Sequence, residues 1–178
     1  VYWNLLRKKI LEIRNYVPVN VINAGIGGTT AKDSIERIDS QVLSHNPDLV
    51  IVCFGLNDVN GELSEYLDSL EEIFTRCNEK GIDAIFMTPN MMCTKVSCHI
   101  KEENHISCAR GIAKTQNDGV LDAYLDAAKK LAEEKGVAIC DCYAKWKRLY
   151  ECGADITELL ANKINHPTRE MNRVFAYE

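Results

Sequence analysis

No stretch of this chain is apolar for anything near the roughly 18 residues that a membrane-spanning helix needs. The most apolar run, Val50 to Phe54, is far too short. Positive charge is also scarce: 21 Lys and Arg stand against 26 Asp and Glu, a net charge of −5. Nucleic-acid binding draws on clustered cations that neutralise phosphates, so the composition argues against it. Low-complexity tracts, internal repeats and linker-like Pro, Gly or Ser runs are missing too. No signal-peptide pattern is visible at Val1, where the helical pattern Val1-Tyr2-Trp3-Asn4-Leu5-Leu6 starts at once.

What is present reads as an ordinary globular chain. Hydrophobic residues make up 46% and charged residues 26%, enough to bury a core. A length of 178 residues fits one domain over 1–178. Eight cysteines are many, but disulfide scaffolds are smaller and loop-rich. Cys53 falls in a buried-strand pattern and Cys77 in a helix. Most of the thiols therefore read as small buried hydrophobes in a reducing compartment, which leans towards the cytoplasm.

Apolar spacing divides the chain into alternating segments. Helices are expected over 1–15, Thr29–Ser44, Glu62–Lys80, a stretch ending at Lys135, and roughly 142–151, 155–161 and 168–177. Strands are expected at Val17–Asn23, Asp48–Phe54, Ile82–Met87 and Val137–Cys140. Gly81 and Gly136 read as helix stops, and residues 90–104 as a loop. Strand–helix alternation implies an α/β protein with a mostly parallel sheet. Chemistry in such folds gathers at the carboxyl ends of the strands.

Those ends carry Asn23-Ala24-Gly25-Ile26-Gly27-Gly28-Thr29-Thr30, then Gly55-Leu56-Asn57-Asp58, then Thr88-Pro89-Asn90, and later Asn162-Lys163-Ile164-Asn165-His166-Pro167. The glycine segment fails as a dinucleotide fingerprint. Its sixth place is Thr30, and the next strand ends in Gly55 rather than an acidic residue. It serves either as a tight strand-to-helix turn or as a loop whose N–H near Gly28 meets a developing oxyanion. An amide at Asn57 donates without bringing negative charge, which suits the same task, although Asn and Asp also simply satisfy turns. Asp58 reads as a brace for its loop. His166 is either a base or a residue at a helix start.

In order and spacing, Asn-x-Gly-x-x-Gly-x-Thr, Gly-x-Asn-Asp and a late His-Pro resemble the SGNH hydrolases, also called GDSL esterases and lipases. The resemblance runs from about Asn23 to Pro167. It implies a three-layer α/β/α sandwich with a flavodoxin-like parallel sheet of about five strands. It also implies an oxyanion hole at Gly28 and Asn57, a catalytic His166, and a serine nucleophile in a Gly-Asp-Ser block. Residues 1–22 contain no serine, and none of Ser34, Ser40, Ser44, Ser64, Ser69, Ser97 and Ser107 has that context. The expectation is that the nucleophile and the first strand belong to a segment upstream of Val1. A rearranged, inactive binding or scaffold protein on the same fold is the alternative.

A second departure is Lys163, which stands where the family usually has Asp and cannot accept the imidazole proton. The Asn162 side-chain oxygen, a main-chain carbonyl near Lys163, or a distant carboxylate could replace it. The resemblance implies no metal or organic cofactor. Cys93, Cys98, His99, His105 and Cys108 fit no familiar zinc spacing and read as a loop over the cleft. Trp3, Tyr143 and Trp146 read as helix packing rather than as an acyl or sugar pocket. The substrate implied is a small-molecule or carbohydrate ester, short-chain rather than long-chain lipid. Oligomeric state is left open.

Overall fold

A computed structural model of the chain describes residues 2–14 and 18–178. Three parallel strands, β1 (Leu49–Val52), β2 (Asp83–Met87) and β3 (Ala138–Cys140), lie in the order β1-β2-β3. The register pairs Val52 with Phe86 and Met87 with Cys140. Helices α1 (Tyr2–Ile13), α2 (Ala31–Ile35) and α3 (Ile38–Gln41) precede β1, and α4 (Leu63–Glu79) crosses from β1 to β2. Helices α5 (Glu103–Asn117) and α6 (Val120–Glu134) cross from β2 to β3, and α7 (Cys142–Glu151) and α8 (Asn172–Tyr177) follow.

Alternation along the strands makes the layers. Val50, Val52, Ala84, Phe86 and Ile139 point into the main core. Ile51, Cys53, Met87 and Cys140 point the other way, into a smaller cluster closed by Tyr2 of α1 and Phe175 of α8. On the main side, α4 presents Tyr66, Leu70, Ile73, Phe74 and Cys77 at helical spacing, and α6 presents Leu121, Tyr124, Leu125, Ala128 and Ala132. Phe74 meets Phe86 edge to face at 6.1 Å. Both helices hand the chain back to the sheet in the same way. Gly81 (φ +67°) and Gly136 (φ +67°) take the left-handed conformation, and the next N–H reaches back to the helix, Ile82 to Cys77 and Val137 to Ala132.

Several expectations need correction. Pro18 to Asn23 form no strand; Val17 lies outside the described residues. A strand exists through a ladder partner, and this segment has none, leaving Val21 and Ile22 exposed. Among the described residues β1 therefore has no strand on its outer side, and the sheet has three strands where four were expected in this chain. The helix expected over 29–44 breaks into α2, α3 and a 3-10 turn at Leu43–His45. The long helix ending at Lys135 is two helices, because Gly119 (φ +74°) turns the chain after Asp118. Residues 156–159 form a 3-10 turn rather than an α-helix.

Candidate active site

Every segment singled out at a strand end lies at the carboxyl edge of the sheet. The chain leaves β1 through Gly55, whose φ of +132° suits only glycine; a Cβ there would stand 2.9 Å from Leu125 Cδ2. Asp58 then folds back. Its Oδ2 accepts from the Gly55 N–H and its Oδ1 from the Ala31 N–H, both at 2.8 Å. Ala31 opens α2, whose first turn is capped reciprocally by Thr30 and Asp33. One buried carboxylate thus ties the start of α2 to the loop after β1. Burial raises the Asp58 pKa; the N–H donors of Ala31 and Gly55 oppose the shift and do not cancel it.

The same two loops meet again at Asn57. Its Nδ2 donates to the Thr29 carbonyl at 2.9 Å. Gly28, immediately before Thr29, takes φ +80° with open space where a side chain would be. Gly28 and Asn57 are therefore brought together on one rim, with Asp58 beneath them.

His166 comes to the same edge from β2. Past β2, the buried Asn90 donates through Nδ2 to the Asn165 carbonyl at 2.9 Å and to the Met91 carbonyl at 2.7 Å. The Cys93 N–H donates to the Ile164 carbonyl at 2.7 Å. The His166 carbonyl accepts from the Ala161 N–H at 2.7 Å, and Leu160 bridges to Pro167. The imidazole itself is exposed.

Asn162 shapes this loop rather than reaching the ring. Its Oδ1 accepts from the N–H groups of Ile164, Asn165 and His166 at 2.9–3.1 Å. An oxygen so occupied has little left for the imidazole. Lys163 sits at φ +61° and turns its ammonium to Glu158, 2.9 Å from Oε2. That hydrogen bond lowers the Glu158 pKa. Asn90 was not among the expected site residues. The Thr-Pro-Asn step after a strand was visible, but nothing local reveals a partner 75 positions away.

With this geometry in place, the sequence matches the GDSL-like lipase/acylhydrolase family over residues 7–174. The chain belongs to that family. Membership places this acylhydrolase among enzymes that act on ester bonds. No curated protein sequence matches it. Among solved structures it is similar to an acetylxylan esterase from Geobacillus stearothermophilus, with a TM-score of 0.77 at 20% identity, over 99% of this chain and 77% of the other. It is also similar to an alpha/beta hydrolase from the metagenome of Lake Arreo, Spain, with a TM-score of 0.76 at 21% identity, over 98% and 77%. A third likeness is to an acetyl xylan esterase, with a TM-score of 0.73 at 21% identity, over 97% and 85%.

Among the described residues none of the seven serines is hydrogen-bonded to His166. Ser34, Ser40, Ser44 and Ser69 donate to main-chain carbonyls in or beside helices, and Ser97 donates to Glu158. Ser64 and Ser107 lie within α4 and α5. Among the described residues no three His, Cys, Asp or Glu side chains are grouped to hold a metal ion. Cys93 is buried against the Ala109 carbonyl and His105 faces Glu102. Trp146 and Tyr143 are buried in the core, as packing residues are. All eight cysteines are free thiols; Cys77, Cys93 and Cys142 are buried, Cys53 and Cys140 half-buried, and Cys98, Cys108 and Cys152 exposed, so fewer than half are the buried hydrophobes expected. No helix among the described residues is long and apolar enough to cross a membrane.

Proposed function

We propose that this acylhydrolase is a serine esterase that removes a short acyl group, acetyl foremost, from a carbohydrate. The observation that carries the reading is the joining of the Gly28 and Asn57 loops on the edge to which Asn90 ties the His166 loop. Acyl transfer needs hydrogen-bond donors aimed where negative charge develops, and a base beside the nucleophile. Gly28 N–H and the second hydrogen of the Asn57 amide are the donors in this reading, and His166 is the base. The nucleophile is a serine from outside these 178 residues.

The reaction proceeds in two steps. The serine hydroxyl gives its proton to His166 and attacks the ester carbonyl, and the oxyanion forms against Gly28 and Asn57. His166 then passes that proton to the leaving sugar oxygen, which departs as a hydroxyl. Water, deprotonated by His166, attacks the acyl-serine; His166 returns the proton to the serine oxygen as its bond to the acyl carbon breaks, and acetic acid leaves as acetate and a proton. The acetyl and carbohydrate preference rests on the neighbours named as acetylxylan esterases.

The test is acetate release from acetylated xylo-oligosaccharides by the protein as its own cells make it, alongside labelling by a fluorophosphonate. Acetate release with a single labelled serine supports the reading. Neither acetate nor adduct overturns it in favour of a binding protein on the same fold.

A further inference from the structure

Cys140 ends β3 and Cys142 opens α7, with Asp141 between them as the helix cap. Their sulfurs lie 3.6 Å apart. A disulfide needs about 2.05 Å, so closure asks for roughly 1.5 Å of combined sulfur movement. Cys142 is fully buried, whereas Cys140 is half-buried. Both belong to the small cluster under Tyr2 and Phe175, which also holds Cys53 and Met87.

We infer that Cys140 and Cys142 form a thiol modification site that a small-molecule disulfide converts to an intrachain disulfide. The proximity of two thiols in one three-residue step carries the inference; nothing in ester hydrolysis uses either sulfur. Their roles follow from exposure. Cys140 is the sulfur that an external disulfide reaches. In the contact between them either sulfur can donate, and it lowers the Cys140 pKa while raising that of Cys142. Cys53, by contrast, is held as a thiol, its pKa pushed up to about 12 chiefly by burial.

The exchange balances. The Cys140 thiolate attacks one sulfur of the small disulfide and expels one small thiolate, leaving a mixed disulfide. Cys142 loses its proton and attacks the Cys140 sulfur, expelling the second small thiolate. Two protein thiols are oxidised and one small disulfide is reduced to two thiols.

Asp141 gives the site its reach. Its carboxylate accepts from Thr88 Oγ1 at 2.9 Å, from the Ala144 N–H at 3.1 Å and from Lys129 at 3.0 Å. Thr88 is the first residue past β2, and its Oγ1 accepts from the Tyr143 N–H at 2.8 Å. Closing a ring across Asp141 therefore acts on the joint between β2, β3 and α7.

The experiment is exposure of the whole protein to glutathione disulfide, denaturing alkylation of the remaining thiols, and peptide mapping. One tryptic peptide, between Lys135 and Lys145, carries both cysteines. The expected peptide is lighter than the dithiol by two hydrogen atoms and carries neither glutathione nor alkyl group. In Cys142→Ser, which keeps size and shape, Cys140 should instead retain one glutathione. The proposal is overturned if Cys140 and Cys142 are both alkylated once the exposed Cys98 is modified. A Cys53–Cys142 linkage, or a stable glutathione adduct on Cys140 of the unaltered protein, overturns it equally. The readout is mass, so the result stands apart from whether the protein hydrolyses esters.

Discussion

The Asn57 side-chain amide donates to the Thr29 carbonyl across 2.9 Å, which pins the loop after β1 to the loop that carries Gly28. An amide nitrogen has two hydrogens, and this bond takes one. The other is available to an oxyanion already held in position. Asn57→Ala should therefore lower kcat on an acetyl ester by about 10²–10³ while KM changes little. Steady-state kinetics check the split, and a circular dichroism spectrum shows that the fold is kept. An effect confined to KM would remove Asn57 from the oxyanion role.

His166 is exposed, and the hydrogen bonds that hold its loop are made by its main chain. Truncating the ring to Ala should leave unfolding stability within about 0.5 kcal/mol, as for other surface changes, while turnover collapses. Asn90→Ala should act differently. It strips the donor from the Asn165 carbonyl and from the Met91 carbonyl in a buried setting. A stability loss of about 1–3 kcal/mol is expected, together with a lower kcat. Loss of stability with an unchanged kcat would make Asn90 purely structural.

How much of this was legible follows from the range of the forces involved. α4 and α6 could be read because their apolar spacing and terminal glycines are local signals. The Asn57 loop could be read because Asn57 and Asp58 closely follow β1, where topology assigns them to the carboxyl edge; Gly28 follows no strand, and its loop reaches that edge through the Asn57–Thr29 hydrogen bond. The segment at Pro18–Asn23 misled because its Val and Ile residues report a preference for a pleated, covered surface, while a strand also needs a neighbour that only the tertiary structure supplies. Gly119 gives no decisive signal in the sequence, because an isolated glycine inside a helical pattern is tolerated at a cost of about 1 kcal/mol. Asn162 was plausible as a partner for the imidazole. The fold of its own loop brings three N–H groups onto that oxygen, an arrangement no local pattern announces.

The brace beneath the rim makes a prediction about stability rather than chemistry. Asp58 satisfies two N–H groups, those of Gly55 and Ala31, in a buried place. In Asp58→Ala both donors lose their acceptor, and urea unfolding should show a loss on the order of 2–4 kcal/mol. Gly55→Ala should be at least as harmful by another route, since it combines a φ of +132° with a clash against Leu125. If either variant unfolds at the unaltered midpoint, the two loops are not held together as described.

Asp141 gives the sign of one pH effect. Burial pushes its pKa up, but hydrogen bonds from Lys129, Thr88 and the Ala144 N–H outweigh burial and leave it below 3.8. A carboxylate whose folded pKa is depressed contributes stability that is fully present above the unfolded value and is lost as pH falls through the folded one. The unaltered protein should therefore lose stability on acidification below about pH 5. Asp33, Asp155 and Glu158 are lowered as well, so the whole curve does not isolate Asp141. The difference between the protein and Asp141→Asn does. The amide oxygen still accepts from Thr88 and the Ala144 N–H, but it carries no charge for Lys129 and no proton to gain. Urea midpoints measured for both from neutral pH down into acid should differ most at neutral pH and converge in acid. A gap that stays constant with pH would mean that Lys129 gains nothing from the Asp141 charge.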